Sequence, residues 1–132
     1  MPRENSELES IAETALGALN AGDLEAFLTV VADDVEFTSM ILEMEGVTFR
    51  GREGVRSWWE TVQESLPGLR WELLDLFESD HKGVAKLRAV ATLGDRRVDQ
   101  VVWEAATFKD GKLTWWAFFR NEKEALDAVG FR

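Results

Sequence analysis

The chain has 132 residues, 25 acidic against 15 basic side chains for a net charge of −10, six Trp, eight Phe and no Cys. That excludes disulfide scaffolds, thiolate nucleophiles and Cys-based metal sites, and argues against nucleic acid as a partner, since phosphate binding needs concentrated Lys and Arg. With 45% hydrophobic residues and no apolar run near the ~20 residues that span a bilayer, the expectation is one folded domain over 1–132, cytoplasmic, with no membrane contact. The polar opening MPRENSELES lacks the apolar stretch of a signal peptide.

In chain order, Ser6 to Asn20 reads as a helix. Ser6 with Glu9 forms a capping-box pattern, and Leu8, Ile11, Ala12, Ala15, Leu16 and Leu19 share one stripe. Ala21-Gly22 ends it. Asp23 caps a shorter helix carrying Leu24, Phe27, Leu28 and Val31, and Asp33-Asp34 leads into a strand from Val35 to Ser39. Residues 40–45 show no clear period and read as a loop or flap, followed by a short strand over Val47 to Phe49. Glu43 and Glu45 are placed to reach over a pocket mouth, although charged loop residues usually face solvent. A third helix spans Arg52 to Leu66, with Val55, Trp58, Trp59, Val62 and Leu66 on its inner side, and Pro67-Gly68 stops it.

Strands follow one another from Leu69. The first runs to Phe77, the Asp80-His81-Lys82-Gly83 turn leads to Val84 to Leu93, and Gly94-Asp95-Arg96 leads to a long hairpin over Arg97 to Arg120. Two turns compete in that hairpin. A three-residue loop, Lys109-Asp110-Gly111, pairs Phe108 with Lys112 and Glu104 with Trp116. A two-residue Asp110-Gly111 turn shifts the register by one and exchanges the faces of one arm. The three-residue loop is preferred. It puts Gln100, Val102, Glu104, Ala106, Phe108, Thr114, Trp116, Phe118 and Arg120 on one face. Val101, Trp103, Ala105, Leu113, Trp115, Ala117 and Phe119 fall on the other. The tail, Asn121 to Val129, is a last short helix with Gly130 as its C-cap.

Helices first and a long meander afterwards is an α+β pattern. We expect three N-terminal helices on the concave face of a curved, mostly antiparallel sheet, with no helix on the other face. That other face is too apolar to leave wet on a monomer, where apolar patches normally reach a few hundred Å². A homodimer through Val101, Trp103, Leu113, Trp115, Ala117 and Phe119 is therefore expected.

Glu104 is the most informative ionisable residue. A carboxyl group among Val102, Ala106, Trp116 and Phe118 loses hydration, which favours its neutral form and equips it for hydrogen-bond donation or acid–base work. The structural alternative is an ion pair with an inward Arg56 or Arg120. Trp58, Trp59, Trp116 and Phe118 are candidate ligand walls or plain core, and Arg120 stands as a rim residue for an anionic group or a tie to the last helix. His81, the single histidine, lies in a polar turn and gives no metal signature or triad. No cofactor or metal is expected.

The segments ALNAGDLEAFLTVVADDVEF, GREGVRSWWE, FKDGKLTWW and EALDAVG together resemble the SnoaL-like proteins of the nuclear transport factor two-like superfamily, which includes ketosteroid isomerases, limonene epoxide hydrolases and polyketide cyclases. The resemblance implies a cone-shaped, cystatin-like α+β barrel, a pocket between sheet and helices, and dimerisation through the sheet. The isomerase base position falls just after VADDVEF, where Ser39 stands, and serine does not hold a proton as an Asp base does. The isomerase's proton-donating carboxyl falls at Glu104. The epoxide-hydrolase Arg and Asp positions fall at Gly83, Ala85 and Phe118, which speaks against that chemistry and weakens a cyclase relying on a last-strand Asp. Arg97-Val98-Asp99 has the Arg-x-Asp spacing but lies one strand too late. The expected function is binding of a small apolar molecule through Glu104, Ser39, Trp58, Trp59, Trp116, Phe118 and Arg120, with Glu104 as the catalytic group if the protein is a cofactor-independent isomerase, cyclase or hydratase. The alternative is a ligand-binding or interaction module without chemistry.

Overall fold

The computed structural model describes residues 6–38 and 47–131. The expectations for Ser39 and for the flap at residues 40–46 fall outside them. Among the described residues four helices and six strands form: α1 (Glu7–Ala21), α2 (Leu24–Leu28), β1 (Val31–Thr38), β2 (Thr48–Arg50), α3 (Gly51–Ser65), β3 (Arg70–Ser79), β4 (Lys82–Leu93), β5 (Arg96–Lys109), β6 (Lys112–Phe119) and α4 (Glu122–Ala128).

Local chemistry sets most boundaries. The Ser6 hydroxyl accepts the Glu9 N–H at 3.1 Å, Asp23 accepts from Ala26 at 3.1 Å, and Asn121 accepts from Glu124 at 2.9 Å, so three helices begin where a side chain can take an orphan amide. α4 ends in a Schellman-type turn. Gly130 sits at φ 80°, and the Phe131 N–H reaches the Leu126 carbonyl at 2.8 Å.

The strands make one curved, unclosed sheet in the order β2-β1-β6-β5-β4-β3. Among the described residues only the β1–β6 pair is parallel. α1, α2 and α3 cover the concave face and share its main core, where Phe27, Phe37, Val55, Trp58, Leu87 and Trp116 are buried.

Three expectations need correction. The β5–β6 turn is the two-residue kind: Lys109 pairs Lys112, with Asp110 at φ 53° and Gly111 at φ 77°, the doubly left-handed geometry that matches strand twist. The register then shifts between Thr107 and Phe108, so that Ala106 pairs Trp116 and Glu104 pairs Phe118. Thr114 is the extra residue, and its bulge returns Trp116 and Phe118 to the face of Glu104. Leu113 lies before the bulge, so it stays in the concave core and is not on the dimer face.

The third correction concerns α4, and β3 carries an irregularity of its own. A second shift in β3, between Leu73 and Asp75, makes Leu74 an extra residue. Leu73 opposite Leu87 and Leu76 opposite Ala85 thereby share the concave face, which an unbroken strand would forbid. Finally, α4 packs on the convex face, where Ala125 and Val129 cluster with Val84 and Ala105. Helices therefore lie on both faces of the sheet. A lone α4 has an apolar side of its own to bury, and the small residues Ala105 and Ala117 leave room for it.

Candidate functional site

The site is built on the middle of β5. Glu104 lies between Ala85 on β4 and Phe118 on β6, and its neighbours along the same face are Val102 and Ala106. Small residues on one side and a ring on the other leave a hollow under α1. Its walls come from α1 (Ile11, Ala12, Ala15, Leu16, Leu19), from Phe27 and Trp58, and from Trp71, Leu87, Trp116 and Phe118 on the strands.

The aromatic walls are held by one another. Trp116 stacks on Phe37 with centroids 4.2 Å apart and planes at 19°. Phe27 meets the edge of Trp116 at 6.0 Å, and Phe37 meets Trp58 at 5.7 Å and 82°. Phe118 stacks on Trp71 at 6.0 Å. Such contacts fix ring orientation beyond simple burial. The void is about 30 Å³, room for water and well below the ~150 Å³ that takes up benzene in an engineered apolar cavity.

Glu104 is half-buried by area, yet protein surrounds it on every side, as befits a side chain whose free surface is cavity surface. Among the described residues it has no hydrogen-bond or ion-pair partner. Loss of hydration alone pushes its pKa up to about 8. The carboxyl is therefore predominantly protonated at neutral pH and can donate one hydrogen bond into an apolar space.

The sequence-predicted residues divide clearly. Glu104, Trp58, Trp116 and Phe118 line one cavity. Trp59 is buried beside Phe27 at 5.4 Å, outside the lining, and Arg120 is exposed beyond the end of β6. Arg56 lies near Glu25 at 3.5 Å, not near Glu104. His81 is exposed at φ 66° in the β3–β4 turn. Arg97 and Asp99 are part of a surface cluster in which Arg88 grips Asp99 at 2.8 and 2.6 Å, holding the Asp99 carboxyl below its ordinary range. Sequence reasoning missed Ala12, Leu16, Trp71, Ala85 and Leu87 as lining residues. The α1 stripe and the alternation of β4 carried that signal. Among the described residues no group of His, Asp and Glu side chains is arranged to hold a metal ion.

The result is a bent, unclosed sheet with helices in its hollow and, beneath them, a carboxyl without a partner among the described residues. The sequence profile of the SnoaL-like domain matches residues 12–116, and the chain belongs to that family. No curated protein matches it by sequence. Among solved structures, an NTF2-like protein of unknown function from Burkholderia pseudomallei is 18% identical with a TM-score of 0.77, covering 96% of this chain and 99% of its own. TerC, co-crystallized with polyporic acid, is 20% identical with a TM-score of 0.76, covering 94% and 98%. A putative polyketide cyclase from Sinorhizobium meliloti is 16% identical with a TM-score of 0.70, covering 87% and 100%. At these identities the likeness establishes the fold.

Proposed function

We propose that the protein binds a small, neutral, apolar molecule bearing a carbonyl or similar acceptor, and that Glu104 donates the hydrogen bond that orients it. The observation that carries this reading is a carboxyl with no partner among the described residues, inside an apolar, aromatic-walled cavity. A buried polar group without a partner is costly, and a ligand acceptor would offset that cost. A neutral acid so placed also polarises a carbonyl, which suits a cofactor-independent isomerase, cyclase or hydratase. The relatives add support by analogy, one titled a putative polyketide cyclase and another crystallised with polyporic acid. Fold alone does not transfer their activities.

A second reading is a module without chemistry whose interior is filled core. The void of about 30 Å³ favours it, because a carbonyl compound would have to displace side chains to fit. In either case a homodimer through the convex face remains part of the proposal, with Val101, Trp103, Trp115 and Phe119 as its apolar contacts.

The experiment is a binding screen of neutral aromatic and alicyclic ketones against the wild-type chain and Glu104→Gln, read by thermal shift and native mass spectrometry. The amide keeps shape and can still donate, but carries no acidic proton. Any ketone that binds is then followed for product by chromatography, and binding retained with turnover lost in Glu104→Gln marks Glu104 as a proton donor. A wild type that binds nothing in the panel favours the filled core.

A further inference from the structure

We infer that the seam between α1 and β3 is the portal to the Glu104 cavity, with Ala12 and Leu16 setting its aperture for neutral, apolar molecules; this rests on the cavity being a binding site. All the lining side chains are buried except three: Ala12, Leu16 and Glu104. Glu104 lies at the bottom, on the sheet. Ala12 and Leu16 stand one turn apart on α1, so the cavity approaches solvent along that stripe.

α1 packs along β3, the outermost strand on that side of the sheet. Both ends of the seam are hydrogen-bonded. At one end Glu78 accepts the Leu8 N–H at 3.1 Å. At the other the Asn20 side chain takes the Trp71 N–H at 2.7 Å and donates to its carbonyl at 2.9 Å. Between these ties, among the described residues, no further hydrogen bond or ion pair joins α1 to β3, and Leu16, Leu73 and Leu76 pack half-buried against the core. There β3 carries its bulge, which turns both Leu73 and Leu76 toward the concave side, and both remain half-buried. A seam tied at its ends and greasy in its middle opens at the middle, where separating the walls breaks no hydrogen bond.

Charge narrows the ligand class. α1 carries Glu7, Glu9 and Glu13 and no Lys or Arg, and Glu78 lies at one end of the seam, whereas Glu72 and Asp75 sit on the other face of β3 opposite Arg88 and Lys86. An anion approaching this seam meets like charge on the α1 wall.

The absence of cysteine makes the portal directly testable. Ala106→Cys places a single thiol on the cavity wall, and Ala85→Cys serves as a second reporter if the first does not fold. Ala105→Cys, buried in the convex cluster, reports opening unrelated to the portal. The probe is methyl methanethiosulfonate, small and neutral. Leu16→Ala should speed labelling at the cavity reporter by about tenfold, Ala12→Phe should slow it, and neither should change labelling of Ala105→Cys. An anionic methanethiosulfonate should react more slowly than the neutral one at the cavity reporter. Cavity labelling indifferent to both α1 substitutions, or changed equally at Ala105→Cys, would overturn the portal. The assay needs no ligand, so its failure is distinct from a failure of the proposed binding function.

Discussion

Glu104 gives the residue scale its sharpest prediction. Its folded pKa, about 8, lies above the ordinary 4.5 for a glutamate because burial strips water from the anion. Between those values the folded protein holds a proton that the unfolded chain has released, so the group's contribution is most favourable below about pH 4.5. It is lost as pH rises to about 8 and stays flat above. The slope is at most about 1.4 kcal/mol per pH unit. Urea unfolding of wild type and Glu104→Gln at pH 5 and pH 8.5 isolates this effect, since the other titrating groups cancel in the difference. Wild type should lose several kcal/mol relative to the variant over that interval. A constant difference would mean that Glu104 is hydrated or paired. The same carboxyl was legible in the sequence as an acid inside an apolar strand run; its lack of a partner was not. Arg56 and Arg120 were both plausible until α3 and the end of β6 were placed.

At the scale of elements, α1 is the cavity wall tied to the edge of the sheet by side-chain hydrogen bonds. Asn20 pairs with the free edge of β3 much as another strand would, satisfying the N–H and carbonyl of Trp71 together. Asn20→Ala leaves both groups unpaired and should cost about 1–3 kcal/mol. Thermal unfolding measures that loss, and hydrogen exchange should show the Trp71 amide deprotected while β4 and β5 stay protected. Gly83 matters at the opposite end of the seam, where a Cβ would overlap the Phe77 carbonyl oxygen and the Leu8 side chain. Gly83→Ala should push α1 away from the sheet and destabilise the fold more than Asn20→Ala does. A milder effect from Gly83→Ala would show that α1 shifts at little cost.

For the whole molecule, the open question is what the convex face meets. α4 already covers Ala105, while Trp103, Trp115 and Phe119 remain half-buried and Val101 is 36% exposed. The proposed dimer pairs these surfaces about a two-fold axis. Two chains of net charge −10 repel, so the dimer should tighten with added salt as that repulsion is screened. Sedimentation at micromolar concentration should show twice the 15.0 kDa chain mass, and Trp115→Arg should shift it to monomer. A wild type that stays monomeric in high salt would remove the dimer and leave α4 as the sufficient cover of that face.

What the sequence determined by itself was everything set by short-range geometry. Caps at Ser6 and Asp23, the stop at Pro67-Gly68, the position of the turn around Asp110-Gly111 and the 3.6 and 2.0 periods located the elements, except that Val31, read with the second helix, opens β1. The face shared by Glu104, Trp116 and Phe118 was read correctly from a turn that the structure does not use. Two departures cancelled there: a tighter turn shifts the pairing by one residue, and the bulge at Thr114 shifts it once more. Leu113 lies between them and so came out on the opposite side. Bulges answer to the twist of a whole sheet, and the placement of α4 depends on which surface is left uncovered when the first three helices have packed. Both are decided by contacts between residues far apart in the chain. The volume left around Glu104 is decided in the same way, by how closely α1 settles on β3.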